Sequence, residues 1–215
     1  MRTKLGKKAR TLIIVLGCCC IIAAAALTLY NQWASKKAAE EADKLSSSFF
    51  EMLEAATPEP DEAPLGEDEF LEEEAPDESA AEESEEPATI SVGGYEVCGS
   101  ISIPKMGVEL AIISDWSYAN LNISACRYSG SPDGQMIVMA HNYTRHFGRL
   151  RSLAAGDEVR VTGVDGTIYD YEVTVTETLA SNQLGVVMSG DDWDLTLFTC
   201  TYGGENRVVV RLRLV

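Results

Sequence analysis

From residue 90 to the C-terminus the chain is written in short β-type runs separated by turn residues, and this texture limits its fold more than any other feature. Candidate strands cover 96–103, 108–114, 135–140, 157–163, 167–179, 194–200 and 207–215. Several alternate cleanly, as a strand with one buried face should. Tyr169, Tyr171, Val173 and Val175 fall on one face, and Asp170, Glu172, Thr174 and Thr176 on the other. In the last run Val208, Val210, Leu212 and Leu214 oppose Arg207, Val209, Arg211 and Arg213. Val164-Asp165-Gly166-Thr167 reads as a hairpin turn. Helical pieces fit only near 118–121, 148–153 and 182–185. So many short strands in one stretch predict an all-β sandwich or closed barrel.

The segments ahead of this region have different characters. Five basic residues and no acid lie within 1–29, and an uncharged apolar run occupies 12–29. Eighteen helical residues span about 27 Å, enough for a bilayer core. A retained transmembrane signal-anchor over 1–30 is expected, with its basic flank inside and the rest of the chain exported. Cleavage at Ala23-Ala24-Ala25-Ala26 is the alternative, and Val15-Leu16-Gly17-Cys18 only loosely matches a lipidation box because the apolar run continues past it. Residues 31–56 read as a helix leaving the membrane. An acidic, Pro-rich linker follows, completing a 31–88 segment ahead of a domain at 89–215. Half of the chain's thirty-four acidic residues lie within 51–87, so the net charge of −17 describes this linker rather than the domain. The remainder has no basic, aromatic-interleaved patch for nucleic acid.

Three strand ends in the β region carry reactive groups. Leu195-Thr196-Leu197-Phe198-Thr199-Cys200 delivers a thiol, Met136-Ile137-Val138-Met139-Ala140-His141 an imidazole, and Arg207 opens the last run. Singly, each has a plain structural explanation: an inert thiol, a hydrogen-bonded histidine, and one of three solvent-facing arginines with Arg211 and Arg213. Jointly, if their strands are neighbours, they are the parts of a cysteine acyl-transfer site. An ordinary thiol with a pKa of about 8.5 is only a few per cent ionised at neutral pH, so it needs such neighbours. Cys18, Cys19 and Cys20 lie within the apolar run as palmitoylation candidates. Cys98 and Cys126 read either as a disulfide, leaving Cys200 free, or as small buried residues.

The pattern resembles the sortase family over about residues 93–215. Its Thr-Leu-x-Thr-Cys signature stands as Thr196-Leu197-Phe198-Thr199-Cys200, with the following arginine at Arg207. The family histidine falls at His141, ahead of Phe147-Gly148-Arg149-Leu150 and Gly156-Asp157. The early Ile-x-Ile-Pro-Lys strand appears as Ile101-Ser102-Ile103-Pro104-Lys105. His146 is a second imidazole, expected in the loop after His141.

This resemblance implies a closed β-barrel of about eight strands with short helices, and a membrane-anchored cysteine transpeptidase of unspecified subclass. Cys200, His141 and Arg207 are the implied catalytic residues, and Thr199, Asn142 and Tyr202 the expected substrate contacts. The implied partners are exported proteins bearing a Leu-Pro-x-Thr-Gly-like sorting signal and an amine acceptor, from a peptidoglycan precursor or a pilin lysine. Membrane lipid surrounds the anchor. No cofactor is expected: calcium occurs in the family, but no carboxylate cluster supports a site, and Asp191, Asp192 and Asp194 read as a turn before a strand. A non-catalytic exported β-domain displayed on an acidic stalk is the rival reading. A wall L,D-transpeptidase is disfavoured because no His-Gly-Cys element surrounds Cys200.

Overall fold

The computed structural model describes residues 7–56, 86–190 and 192–215. Helix α1 (Lys7–Ala56) is followed by strands β1 (Ile90–Val92), β2 (Tyr95–Ile103), β3 (Val108–Ile113), β4 (Ala125–Ser129) and β5 (Met136–Met139). Next come β6 (Glu158–Gly163), β7 (Ile168–Ala180), β8 (Leu195–Cys200) and β9 (Asn206–Leu214). Helices α2 (Tyr118–Leu121) and α3 (Leu184–Val187) interrupt them. The strand order is β1-β2-β3-β4-β5-β8-β9-β7-β6, and an additional β2–β6 pairing closes β2 to β9 into an eight-stranded barrel. β1 is a short addition hairpinned onto β2.

Alternating side chains fill the barrel. Ile101, Leu110, Ile112, Val138, Val161, Tyr171, Leu195, Leu197, Val210 and Leu212 belong to one buried cluster. The family-type motif segments serve this architecture. Pro104 ends β2 in a single tight turn, and Lys105 Nζ meets Asp157 Oδ2 at 2.7 Å, tying the Pro-Lys corner to the Gly-Asp corner. Between β6 and β7, the Asp165 carboxylate accepts from the Thr167 N–H at 2.9 Å. Gly166 takes the left-handed conformation there (φ 81°), completing the expected hairpin.

Two expectations need correction, and one open alternative is resolved. Val175 does not continue the buried face of β7: the register slips between Val173 and Val175, and Val175 is exposed. A β-bulge of this kind resets the alternation, so Thr176 turns inward and its hydroxyl donates to Leu153 O at 2.9 Å. Arg211 is not solvent-facing but buried, donating to Val186 O and Val187 O, both at 2.7 Å, and to Thr196 Oγ1 at 3.0 Å. It pins α3 over the outer face of β8 and β9. Cys98 and Cys126 are free thiols, both buried, so the small-residue reading holds.

The 31–56 stretch is helical, as expected, and α1 is one helix of 50 residues. Its C-terminal half also packs on the barrel, which the sequence reading did not include. Ala38, Ala42, Leu45 and Phe49 are buried. Leu45 and Phe49 join Val97, Ala111, Ile113 and Cys126 in a second core on the outside of β2 to β4. Ser46 Oγ accepts from the Ala111 N–H at 2.9 Å, and Asp43 pairs with Arg145 at 2.6 Å. Most of the expected acidic linker, 57–85, lies outside the described residues, as does Asp191.

Candidate active site

The site is assembled by strand register. β8 lies between β9, antiparallel, and β5, parallel. The last β8–β9 pair is Cys200 opposite Arg207. On the other side Met139 pairs with Phe198, and the Ala140 N–H continues the ladder to Phe198 O at 3.4 Å. Thr199 Oγ1 then donates to Ala140 O at 2.7 Å, strapping the two strand ends together. His141 therefore leaves β5 alongside Cys200.

Alternation puts all three groups on the outer face of the sheet. Ile137 and Met139 precede His141, Thr196 and Phe198 precede Cys200, and Val209 and Arg211 follow Arg207 at two-residue spacing. One level below the site, Ile137, Phe198 and Val209 form a buried cluster with Val187 of α3. This apolar floor excludes water from beneath the reactive groups while Cys200 and Arg207 stay half-exposed.

The turn between β8 and β9 is short. The Thr201 N–H donates to Asn206 O at 3.0 Å and the Gly204 N–H to Thr201 O at 2.9 Å. Gly203 and Gly204 adopt φ 85° and 76°, a left-handed pair that favours glycine at both positions. Arg207 Nη1 donates to Gly204 O at 3.0 Å and Asn206 O at 3.1 Å, which orients the guanidinium. Among the described residues its remaining N–H groups have no protein acceptor.

His141 is half-buried, and burial pulls its pKa below the ordinary 6.5, favouring the neutral imidazole. Its ring lies 4.9 Å from that of Tyr143, whose hydroxyl reaches Asn122 Oδ1 at 3.4 Å. The loop folds back so that the Phe147 N–H donates to His141 O at 3.0 Å. Gly148 is required by close approach, because a Cβ there would lie 2.5 Å from Asn142 O. His146 belongs to this loop but is fully buried, and among the described residues neither ring nitrogen has a hydrogen-bond partner. Desolvation lowers its pKa to about 4. Two histidines thus occupy different environments: His141 borders the thiol's face, and His146 lies under α1.

Asn142 and Tyr202 line a cleft of about 500 Å³, together with Tyr143, Thr144 and the turns of α1 around Trp33. Thr199, expected to touch substrate, is buried, and its hydroxyl is committed to Ala140. It is a strap under the site rather than a wall of the cleft. Burial raises Cys98 and Cys126 to about 12, which separates them from half-exposed Cys200. Asp194 Oδ2 accepts from the Leu214 N–H at 2.8 Å, in keeping with a turn that caps the sheet. Among the described residues no group of His, Cys, Asp and Glu is placed to hold a metal ion.

Comparisons with known proteins agree with this architecture. A sequence model of the sortase domain matches residues 101–215. Sortase A of Listeria monocytogenes is 27% identical over 110 residues, covering 48% of this chain and 49% of that one, so the chain spans about half that relative's length. Among solved structures, sortase A from Corynebacterium diphtheriae superposes with a TM-score of 0.52 at 25% identity, covering 56% of this chain and 61% of that one. A Clostridium perfringens sortase D5 transpeptidase shares the fold, with a TM-score of 0.50 at 22% identity over 55% of this chain and 79% of that one. A closed barrel that brings Cys200, His141 and Arg207 to one end, matched over more than half its length by the family model, belongs to the sortase family.

Proposed function

We propose that this protein is a membrane-anchored cysteine transpeptidase acting on a sorting signal resembling Leu-Pro-x-Thr-Gly. The observation that carries the reading is the registered pairing of Cys200 with Arg207 beside the strand that presents His141.

In this mechanism the Cys200 thiolate attacks the carbonyl carbon of the scissile Thr–Gly-type bond. The carbonyl oxygen becomes an oxyanion, and the free N–H groups of Arg207 meet it. Collapse of the intermediate breaks the C–N bond, and His141 gives its proton to the departing amine. A thioester remains on Cys200. An incoming amine, from a wall precursor or a pilin lysine, loses a proton to His141 as it attacks the thioester and releases the thiolate. A lowered imidazole pKa suits the second half, where His141 must be neutral to accept that proton. In the first half the same depression makes protonated His141 a stronger acid toward the departing amine, while reducing the fraction of enzyme that carries Cys200 as thiolate beside a protonated His141.

Asn142 and Tyr202, next to His141 and two residues from Cys200, line a cleft at this end of the barrel and would contact the peptide, while Thr199 sets the spacing of the strands beneath. The α1 helix is long and apolar enough to cross a membrane near its N-terminus. With the basic flank inside, the barrel works on the outer surface, between residue 30 and the C-terminus. No step requires a cofactor.

The test is mass spectrometry of the full chain in detergent with Leu-Pro-x-Thr-Gly-like and Asn-Pro-x-Thr-x-like peptides. An acyl adduct on the wild type and none on Cys200→Ala supports the reading and identifies the motif. No adduct with any peptide, together with a Cys200 no more alkylatable than Cys98, would favour a non-catalytic surface domain.

A further inference from the structure

We propose that the catalytic end of the barrel faces the bilayer and rests in its headgroup layer, with Tyr202 contacting lipid. The inference rests on α1 spanning the membrane, and it adds the orientation and membrane contact of the active-site mouth.

The direction follows from how α1 lies along the barrel. The uninterrupted helix runs through the apolar stretch and reaches its first buried docking residue at Ala38. It then descends the barrel wall through Ala42, Leu45 and Phe49. Near its C-terminal end Leu53 Cδ1 would be 4.0 Å from a Cβ on Gly166, in the β6–β7 hairpin. The strand register sets that hairpin at the end opposite the active site. β7 starts there, beside the C-terminus of β9 at Tyr171–Leu214, and finishes at the level of Asn206. The membrane end of α1 and the Cys200 end of the barrel are therefore the same end.

The height follows from helix geometry. From Tyr30 to Leu53 is about 35 Å at 1.5 Å per residue. The polar layer of one leaflet is roughly 5–8 Å thick, so it takes in the helix from Tyr30 to about Trp33. These two aromatic side chains are exposed, and the ammonium of Lys37 lies 5.9 Å over the Trp33 ring. Aromatic residues followed by lysine directly after an apolar run form an interfacial anchor. The same Tyr30 and Trp33 line one wall of the cleft beside the catalytic end, and Asn142, Thr144 and Tyr202, close in sequence to His141 and Cys200, line the other. A wall shared with the interfacial turns of α1 holds the opposite rim at that height. Tyr202, at the tip of the β8–β9 turn, is 94% exposed among the described residues, an amphipathic ring suited to an interface. The docking contacts, with the Ser46 hydrogen bonds and the Asp43–Arg145 pair, prevent the barrel from swinging away.

The experiment uses the full chain in phosphatidylglycerol/phosphatidylethanolamine vesicles, with the photo-crosslinking amino acid p-benzoylphenylalanine placed at one position per sample. Position 27 reports insertion of the anchor, position 202 the mouth, and position 167 the far hairpin. Circular dichroism confirms that each sample is folded. Lipid adducts at 27 and 202, with at least tenfold fewer at 167, are expected. Adducts at 27 with 202 no higher than 167 would overturn the orientation while leaving the anchor and the transpeptidase reading intact. No lipid adduct at 27 would remove the membrane span and this inference with it, whereas the peptide–Cys200 adduct would still stand or fall by itself.

Discussion

Cys200 and Arg207 are the terminal registered pair of the β8–β9 ladder, facing each other across a turn closed by the Thr201 and Gly204 backbone hydrogen bonds. Seven residues apart in sequence, they share the outer face of the sheet with His141. Arg207→Ala should lower the acylation rate by about 10²–10³-fold, the usual loss of an oxyanion donor. Arg207→Lys should recover only part of it, because an ammonium lacks the planar fork. Single-turnover acylation with an intact peptide that the wild type cleaves measures both, and an unchanged rate in Arg207→Ala would remove the residue from the mechanism.

The Thr199 strap predicts a different signature. Thr199→Val keeps the shape but leaves the Ala140 carbonyl without its 2.7 Å donor. Loss of a buried hydrogen bond of this kind should cost about 1–3 kcal/mol in denaturant unfolding. Acylation should slow as the spacing of β5 and β8 relaxes, with little change in peptide affinity.

His146 sets a pH dependence of stability. Its folded pKa of about 4 lies below the ordinary 6.5, so the unfolded chain takes up a proton that the folded chain refuses. Stability is therefore full above about pH 6.5 and falls as pH drops toward 4, by at most about 3 kcal/mol. Asp43, Arg145, His141 and Tyr143 are charged or titratable neighbours, and Asp43 opposes the shift while His141 adds to it. His146→Phe should flatten this part of the profile in urea unfolding at pH 7, 5.5 and 4.5.

Gly148→Ala tests the loop that carries Asn142. The new methyl would fall 2.5 Å from Asn142 O and 2.6 Å from Tyr143 O, so the backbone must move. A loss of about 1–3 kcal/mol is expected from this overpacking, together with weaker peptide binding. Thermal unfolding and a peptide titration would report the two effects separately.

Alkylation should discriminate the three thiols of the barrel. Burial raises Cys98 and Cys126 to about 12, so iodoacetamide at pH 7.5 should modify Cys200 first. Equal labelling of all three in the folded protein would contradict their burial.

Much of this was written locally. The period-two alternation of 157–163, 167–179 and 207–215, the Val164–Thr167 turn and the placement of Cys200, His141 and Arg207 at strand ends need only neighbouring residues to be read. A strand shows one face to the core whatever its partner. Other features depend on what lies opposite. β1 and β4, three and five residues long, carry too little alternation to stand out, and become strands through pairing with β2 and with β3 and β5. The α1 stripe of Ala38, Ala42, Leu45 and Phe49 is rich in small residues and resembles a solvated helix until the outer face of β3 is set against it. The burial of His146 beneath that helix and of Arg211 beneath α3, and the inversion of Val175 at the bulge, arise in the same way. Local spacing determined which residues are delivered to the barrel's end. Only long-range packing decided which strands stand beside one another there, and so whether those residues meet, because register and burial are properties of pairs of segments rather than of one.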